Sequence, residues 1–325
     1  MLAESGPAQI HSQPSGKKRA HHNPAMAILA HNKLGQFYKY VTPATALKII
    51  EGRRLRWSSP VLFNDPFDHQ SGFAWEFSGD DFYAELGRWI EHAVYDMEQY
   101  APTGQTSATA MVSLMRQRRP PRAKFREFAT ETIAKQSREL FQQQTARLNE
   151  EVTRFLVDSK VLCLSEVHDN VVMWAHYGHS HQGAVFKLRR LEHLDHRFLV
   201  AQPVEYTTEP ARYASLREYA RHLVGLESFD AVPRISRLAY RKHVDWSYER
   251  EWRVHVPLMG TSRAPCCYDE DEAQELFEAI YLGCRASDDF SREVLAARNA
   301  HLPNMDIYRA VTVRPTMKLS FEKIV

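Results

Sequence analysis

Ser247-Tyr248-Glu249-Arg250-Glu251-Trp252-Arg253-Val254-His255-Val256 is the most informative run of the chain. Its aromatic and β-branched residues predict a strand from Trp246 to Pro257, and side chains alternate between the two faces of a strand. Tyr248, Trp252, Val254 and Val256 then face a core, while Glu249, Glu251, Arg253 and His255 share the opposite face. The two carboxylates point the same way. On an open surface they form a polar edge neutralised by Arg250 and Arg253. In a cleft, one of them can hold a substrate hydroxyl or stabilise a developing cation.

Upstream, Val161-Leu162-Cys163-Leu164-Ser165 reads as a buried strand, and Gly183 to Leu188 as another. A serine at a strand end commonly satisfies backbone groups, so Ser165 is expected to be a structural hydroxyl that orients a glutamate. No GxSxG surrounds it, which argues against a nucleophilic elbow. Phe37-Tyr38-Lys39-Tyr40-Val41 predicts the first strand. Thr42 and Pro43 then open a helix that stops at Gly52. Leu55 to Ser59 predicts a second strand, followed by the turn residues Phe63-Asn64-Asp65-Pro66-Phe67-Asp68. Further strands are expected over Val200 to Tyr206, Ala279 to Leu282 and Ile307 to Val313, with an amphipathic helix from Arg212 to Leu226.

Between about 80 and 158 the apolar spacing becomes helical, as in Leu86, Trp89, Ile90, Ala93 and Val94, which predicts a large helical insertion. Strands framing helices in this order suggest an α+β fold in a single domain over 33–325. Residues 1–32, rich in Ser, Pro, Gly, His and Lys, are expected to be a flexible leader. Within the insertion, Arg116, Arg118, Arg119, Arg122, Lys124 and Arg126 form a basic run without an acid. It is either a solvated loop or a grip for nucleic-acid phosphates.

The 325 residues carry 42 Lys+Arg against 40 Asp+Glu, a balance that neither selects nor excludes nucleic acid globally. An apolar fraction of 44% is that of a chain with a core. Cys163, Cys266, Cys267 and Cys284 form no CxxC pair, so a reducing cytoplasm is the simplest setting. No run approaches the roughly 20 apolar residues of a membrane helix. Neither GxGxxG nor GxxxxGK[ST] occurs. His176, His179 and His181 lie close together, yet without HExxH or a fourth ligand, so no metal is expected there. His176 and Tyr177 are instead expected on a cleft wall, with His179 and His181 in a turn.

Tyr38-Lys39-Tyr40, Ser58 to Asp68, Met173 to Tyr177 and Tyr248 to Arg253 together resemble the signature of a mostly bacterial family, domain-of-unknown-function family 2971. More distantly, the order of elements resembles that of ADP-ribosyltransferases, whose core is a split mixed/antiparallel β-sheet. That likeness implies NAD as co-substrate and Glu251 as the catalytic carboxylate, with Glu249 as the upstream acid and Ser165 beside it. Tyr38 or Tyr40 would stack on nicotinamide, while Ser58, Asn64, Asp65, His176 and Tyr177 would complete the NAD site. The acceptor would be a macromolecule, with nucleic acid one candidate, in a toxin or phage-defence setting. Two other readings stand beside it. One is a non-catalytic nucleic-acid or partner-binding module; the other is a metal-dependent hydrolase or nuclease using Asp65, Asp68, Glu249 and Glu251.

Overall fold

The computed structural model describes residues 32–129, 134–194, 197–258 and 267–325. The expected leader lies outside the described residues except for Asn32. The amide of Asn32 donates to the carbonyls of Phe198, Leu199 and Ala201, which fixes the start of the described chain. β1 (Gln36–Val41) is followed by α1 (Pro43–Gly52), whose Thr42 cap accepts from the Thr45 amide. The left-handed residue that ends this helix is Arg53, at φ 49°, rather than Gly52.

β2 (Arg54–Ser58) and the short β3 (Phe73–Ala74) precede four helices: α2 (Gly79–Tyr95), α3 (Ser107–Arg118), α4 (Arg122–Phe128) and α5 (Ala134–Val157). Phe82, Leu86, Ile90, Val112 and Phe125 join them in a core of their own. β4 (Ser159–Ser165), α6 (Val171–His176) and β5 (Ala184–Arg189) return the chain to the sheet. Then come β6 (Gln202–Pro203), β7 (Glu205–Thr207), β8 (Ala211–Arg212), α7 (Leu216–Leu223), α8 (Ala231–Leu238) and β9 (Arg241–His243). β10 (Glu251–Pro257), β11 (Cys267–Asp271), β12 (Phe277–Leu282), α9 (Asp288–His301), β13 (Asp306–Val313) and β14 (Lys318–Lys323) complete the order.

The result is an α+β architecture on a ten-stranded mixed sheet, ordered β11-β2-β4-β1-β5-β12-β13-β14, with β10 on β4 and β6 on β10. Only β12 and β13 run parallel within it. α1 and α9 pack their apolar faces on one side, against Phe37, Leu162, Leu164, Phe186, Val254 and Ile280. The other side carries Tyr38, Tyr40, Met173, Trp174 and Tyr281.

The pairing of β4 creates the opening in this sheet. β10 pairs with it along its whole length, from Pro257↔Ser159 to Glu251↔Ser165. β2 touches it at Ser58↔Val161 alone, and β1 at Tyr38↔Ser165 alone. Between those two contacts the Cys163 carbonyl accepts from Lys39 Nζ at 3.0 Å in place of a backbone donor. The sheet is thus split beside β4.

Several elements depart from the sequence expectation. The strand foreseen from Trp246 begins only at Glu251: Val244–Glu249 is a 3₁₀ segment, and Arg250 turns the chain at φ 45°. Trp246 and Tyr248 bury their rings against each other in that turn, 6.1 Å apart, which shows how aromatic residues serve any half-buried surface and not strands alone. Val200 to Tyr206 holds only the fragments β6 and the start of β7, and the helix foreseen from Arg212 is the shorter α7. β11 and β14 were not foreseen.

α6 reaches β5 through His179, Ser180 and His181, three consecutive left-handed residues at φ 49°, 53° and 67°. Each such residue costs about 1–2 kcal/mol, so the turn needs outside support. Ser180 N and His181 N bond back to Ala175 O and Trp174 O, while the His181 carbonyl accepts from Arg285 N. Gly183 closes the turn where a Cβ would stand 2.2 Å from the Val41 carbonyl. Gly183→Ala is accordingly expected to cost about 3 kcal/mol, through overpacking against rigid backbone. Equilibrium urea unfolding of the variant checks it.

Candidate functional site

A cavity of about 150 Å³ opens where the sheet splits, lined by Tyr38, Lys39, Tyr40, Phe63, Asn64, Asp68, Cys163, Leu164, Ser165, Met173, Tyr177, Lys242, Glu249, Glu251 and Arg253. Tyr38, Ser165 and Glu251 stand in one row, at the same register on the adjacent strands β1, β4 and β10. Behind that row lies Arg253, fully buried. A guanidinium has five N–H donors, and all five are used. Nε and Nη2 reach the Glu251 carboxylate at 2.7 and 2.8 Å; Nη1 and Nη2 reach Asp68 at 2.7 and 2.5 Å; Nη1 also donates to the Ala239 carbonyl at 2.9 Å. The Phe63 ring covers the guanidinium at 5.7 Å.

Lys242, from β9, completes the network. Its Nζ lies 2.5 Å from Glu249, 3.2 Å from Glu251 and 3.8 Å from Asp68, with the Trp246 ring 4.8 Å away. Glu249 also accepts from the Tyr177 hydroxyl at 2.6 Å, and Tyr177 accepts from the Asn64 amide at 3.3 Å. Backbone contacts hold this carboxylate in place: Ser165 Oγ donates to the Glu249 carbonyl at 2.7 Å, and the Asn170 amide donates to the Tyr248 carbonyl at 3.1 Å. Asn170 Oδ1 meanwhile caps α6. One residue therefore sets both the helix carrying Tyr177 and the turn carrying Glu249.

The two glutamates titrate in opposite directions. Burial, reinforced by the Glu251 charge, pushes Glu249 up to about 7 despite Lys242 and Tyr177. Burial also raises Glu251, but Arg253 and Lys242 outweigh it and hold that carboxyl below its ordinary value. Asp68 is likewise held down by Arg253 and His69 against its burial. Three carboxylates thus share Arg253 and Lys242, and ionisation of Glu249 adds a negative charge to the cavity. A carboxyl poised near neutrality inside a cleft is suited to proton transfer or to stabilising a transient cation.

The sequence-derived candidates distribute unevenly. Tyr38, Tyr40, Asn64, Ser165, Tyr177, Glu249 and Glu251 line the cavity. Ser58, Asp65 and His176 do not: Ser58 pairs with Cys267 in the ladder, Asp65 turns back to accept from the Phe67 amide, and His176 contacts the Tyr248 hydroxyl. Tyr38 is stacked on His168 at 4.9 Å, and Tyr40 meets Trp174 edge-on at 5.6 Å. Arg253 neutralises Glu251, whereas Arg250 pairs with Glu166 and not with either glutamate of the pair.

The basic run is partly self-neutralised. Arg116 caps carbonyls at the end of α2, Arg122 pairs with Glu91 and Asp96, and Arg126 pairs with Glu91, while Arg118, Arg119 and Lys124 are exposed. Among the described residues no group of three His, Cys, Asp or Glu is arranged to hold a metal. Asp68 and Glu251 turn their oxygens to Arg253 and Lys242 instead, and a cation already fills the space between them. No described helix is long and apolar enough to cross a membrane. Lys242 and Lys39 were missed by sequence reasoning. Lys242 sits in Tyr240-Arg241-Lys242-His243, a short polar run with no periodicity to mark it.

Fold and cleft define an α+β protein whose candidate site is a buried carboxylate and cation network in a split sheet. Residues 173–254 match the model of the family described as Protein of unknown function (DUF2971). The matched segment contains Tyr177, Lys242, Glu249, Glu251 and Arg253. No curated protein and no solved structure matches the chain.

Removing the cation shared by three carboxylates is expected to be severe. Lys242→Met should destabilise the fold by about 3–5 kcal/mol, the cost of stranding buried charge, and raise the Glu249 pKa further. Chemical denaturation and carboxyl NMR measure the two effects. A second outcome concerns His69 and His255, stacked at 5.8 Å beside Arg253 with both Nε2 atoms buried and unpartnered. Burial first, then the neighbouring His69 and Arg253, push His255 down to about 3. Its folded pKa lies below the ordinary 6.5, so stability is complete above that value and is lost as the pH falls from there toward 3. Its contribution should change by about 1.4 kcal/mol per pH unit in that window. Melting curves between pH 7 and 4.5 should show a shallower decline for His255→Leu.

Proposed function

We propose that the cleft transfers ADP-ribose from NAD to a macromolecular acceptor, on an ADP-ribosyltransferase-like split sheet and in a toxin or phage-defence setting. The observation that carries this reading is the row Tyr38, Ser165 and Glu251. The resemblance requires an early, a middle and a late strand to bring these residue types together, and β1, β4 and β10 are neighbours at one register. The cavity has room for one ring-sized group against Tyr40, Phe63, Leu164 and Met173, and an adjoining cavity of about 280 Å³ shares its Asp68 and Lys242 wall.

In this reading the bond between the ribose anomeric carbon and the nicotinamide nitrogen breaks, the bonding pair leaves with nicotinamide, and an oxocarbenium-like ribose remains. A carboxylate facing the cleft stabilises that cation and holds a ribose hydroxyl until the acceptor nucleophile adds. The resemblance gives this role to Glu251. The electrostatics favour Glu249, because Glu251 is clamped by two cations, Arg253 and Lys242, whereas Glu249 has one cation and the Tyr177 hydroxyl and is raised to about 7. Glu251 then serves as the fixed counter-charge that raises Glu249 and holds Lys242. Ser165 acts through the backbone of Glu249.

Labelled NAD incubated with the full chain and mixed cellular DNA, RNA and protein tests the proposal. Glu249→Gln should lower nicotinamide release by about 10²–10³-fold with little loss of stability. Glu251→Gln should chiefly destabilise, by about 3–5 kcal/mol. Activity should rise with pH through about 7 as Glu249 becomes the carboxylate. If wild-type protein releases no nicotinamide and transfers no label, the proposal fails.

A further inference from the structure

The cavity holds two lysines in opposite circumstances. Lys242 is pinned by Glu249, Glu251 and Asp68. Lys39 makes no ion pair among the described residues, and the hydrogen-bond partner of its Nζ is the neutral Cys163 carbonyl at 3.0 Å. It bridges the split between β1 and β4, and both Lys39 and Cys163 line the cavity.

A half-buried amine with no carboxylate in hydrogen-bond contact loses its proton more readily than an exposed one, and the free amine is a nucleophile toward carbonyl carbon. We infer that Lys39 is a carbonyl-capture site, where a small aldehyde or the open-chain form of a reducing sugar entering the cavity forms an imine with Nζ.

The chemistry balances without an added oxidant or reductant. The nitrogen lone pair attacks the carbonyl carbon and forms the C–N bond, while the π pair moves to oxygen, which takes the proton released by nitrogen. The resulting hydroxyl departs as water with a proton from the Glu249 carboxyl, which lines the same cavity, leaving a protonated imine. Solvent then returns the proton to Glu249. The groups acting on the amine agree with this role. Burial pushes Lys39 below the ordinary lysine value, Cys163 and Glu251 pull it partly back, and Arg56 lowers it further. The inference is independent of NAD chemistry.

The test uses the full chain, glyceraldehyde as probe and cyanoborohydride to reduce any imine to a stable secondary amine, with the modified lysines located by peptide mass spectrometry. At neutral pH Lys39 is expected to label faster than the exposed Lys48 and Lys318, since a lysine whose pKa is lowered carries a larger free-amine fraction. Its rate should also persist to lower pH than theirs. Lys242, locked as an ammonium, should stay unmodified. Lys39→Arg should remove the fast phase and leave the slow labelling of other lysines in place. Labelling of Lys39 no faster than that of Lys48, or faster labelling of Lys242, overturns the inference; both are read on wild-type protein, whatever the variant's folding.

Discussion

A guanidinium sealed from water is tolerated only when every donor is used, and Arg253 meets that condition with two carboxylates and one carbonyl. Its partners come from the loop after β2, the end of α8 and the start of β10. Asp68 and Arg253 are 185 residues apart in sequence. The planar fork therefore fixes the relative positions of three chain segments, and a lysine could not reproduce it. Because Arg253 divides its donors between Glu251 and Asp68, Lys242 is shared between Glu251 and Glu249. The incomplete neutralisation of Glu249 follows from this sharing, and so does its ionisation near neutral pH.

Environment, not residue type, thus separates the members of each like pair. Glu249 and Glu251 are two residues apart and both buried, yet Glu251 is held firmly ionised and Glu249 is poised to titrate. Lys39 and Lys242 line one cavity, and of the two only Lys242 is ion-paired among the described residues. Groups with diverging proton affinities in one small space are the usual physical basis for assigning distinct chemical roles.

Much of this arrangement was legible in the sequence because it is carried by periodicity and local turn chemistry. Phe37 to Gly52 declared a strand, a capped helix and a stop. Alternation from Glu251 onward put Trp252, Val254 and Val256 on the apolar face and Glu251, Arg253 and His255 on the other. Glu249 escaped that logic because Arg250 reverses the chain, and its alignment with Glu251 comes from a shared lysine and not from a shared strand face. β11 and β14, Cys-Tyr-Asp-Glu-Asp and Lys-Leu-Ser-Phe-Glu-Lys, are charged strands, β14 ending the sheet and β11 joining it beside β2. Charge protects such edges from unwanted pairing and also hides their propensity. The carbonyls and carboxylates that absorb half of the basic run lie 18 to 35 residues away in sequence, beyond the reach of a local pattern.

The split beside β4 also has a kinetic meaning. The helices α2, α3 and α4 gather through contacts between near neighbours in the chain, whereas Lys39 meets Cys163 across 124 residues and Ser165 meets the Glu249 carbonyl across 84. Closing long loops carries an entropic cost that local contacts avoid, and topologies dominated by distant pairings fold slowly. Bringing β1, β4 and β10 together therefore closes longer loops than the contacts among α2, α3 and α4 do, and the cavity depends on those long closures. During synthesis Arg253 emerges some 185 residues after its partner Asp68, so the carboxylates that end up beside it stay hydrated and separate until most of the chain has been made.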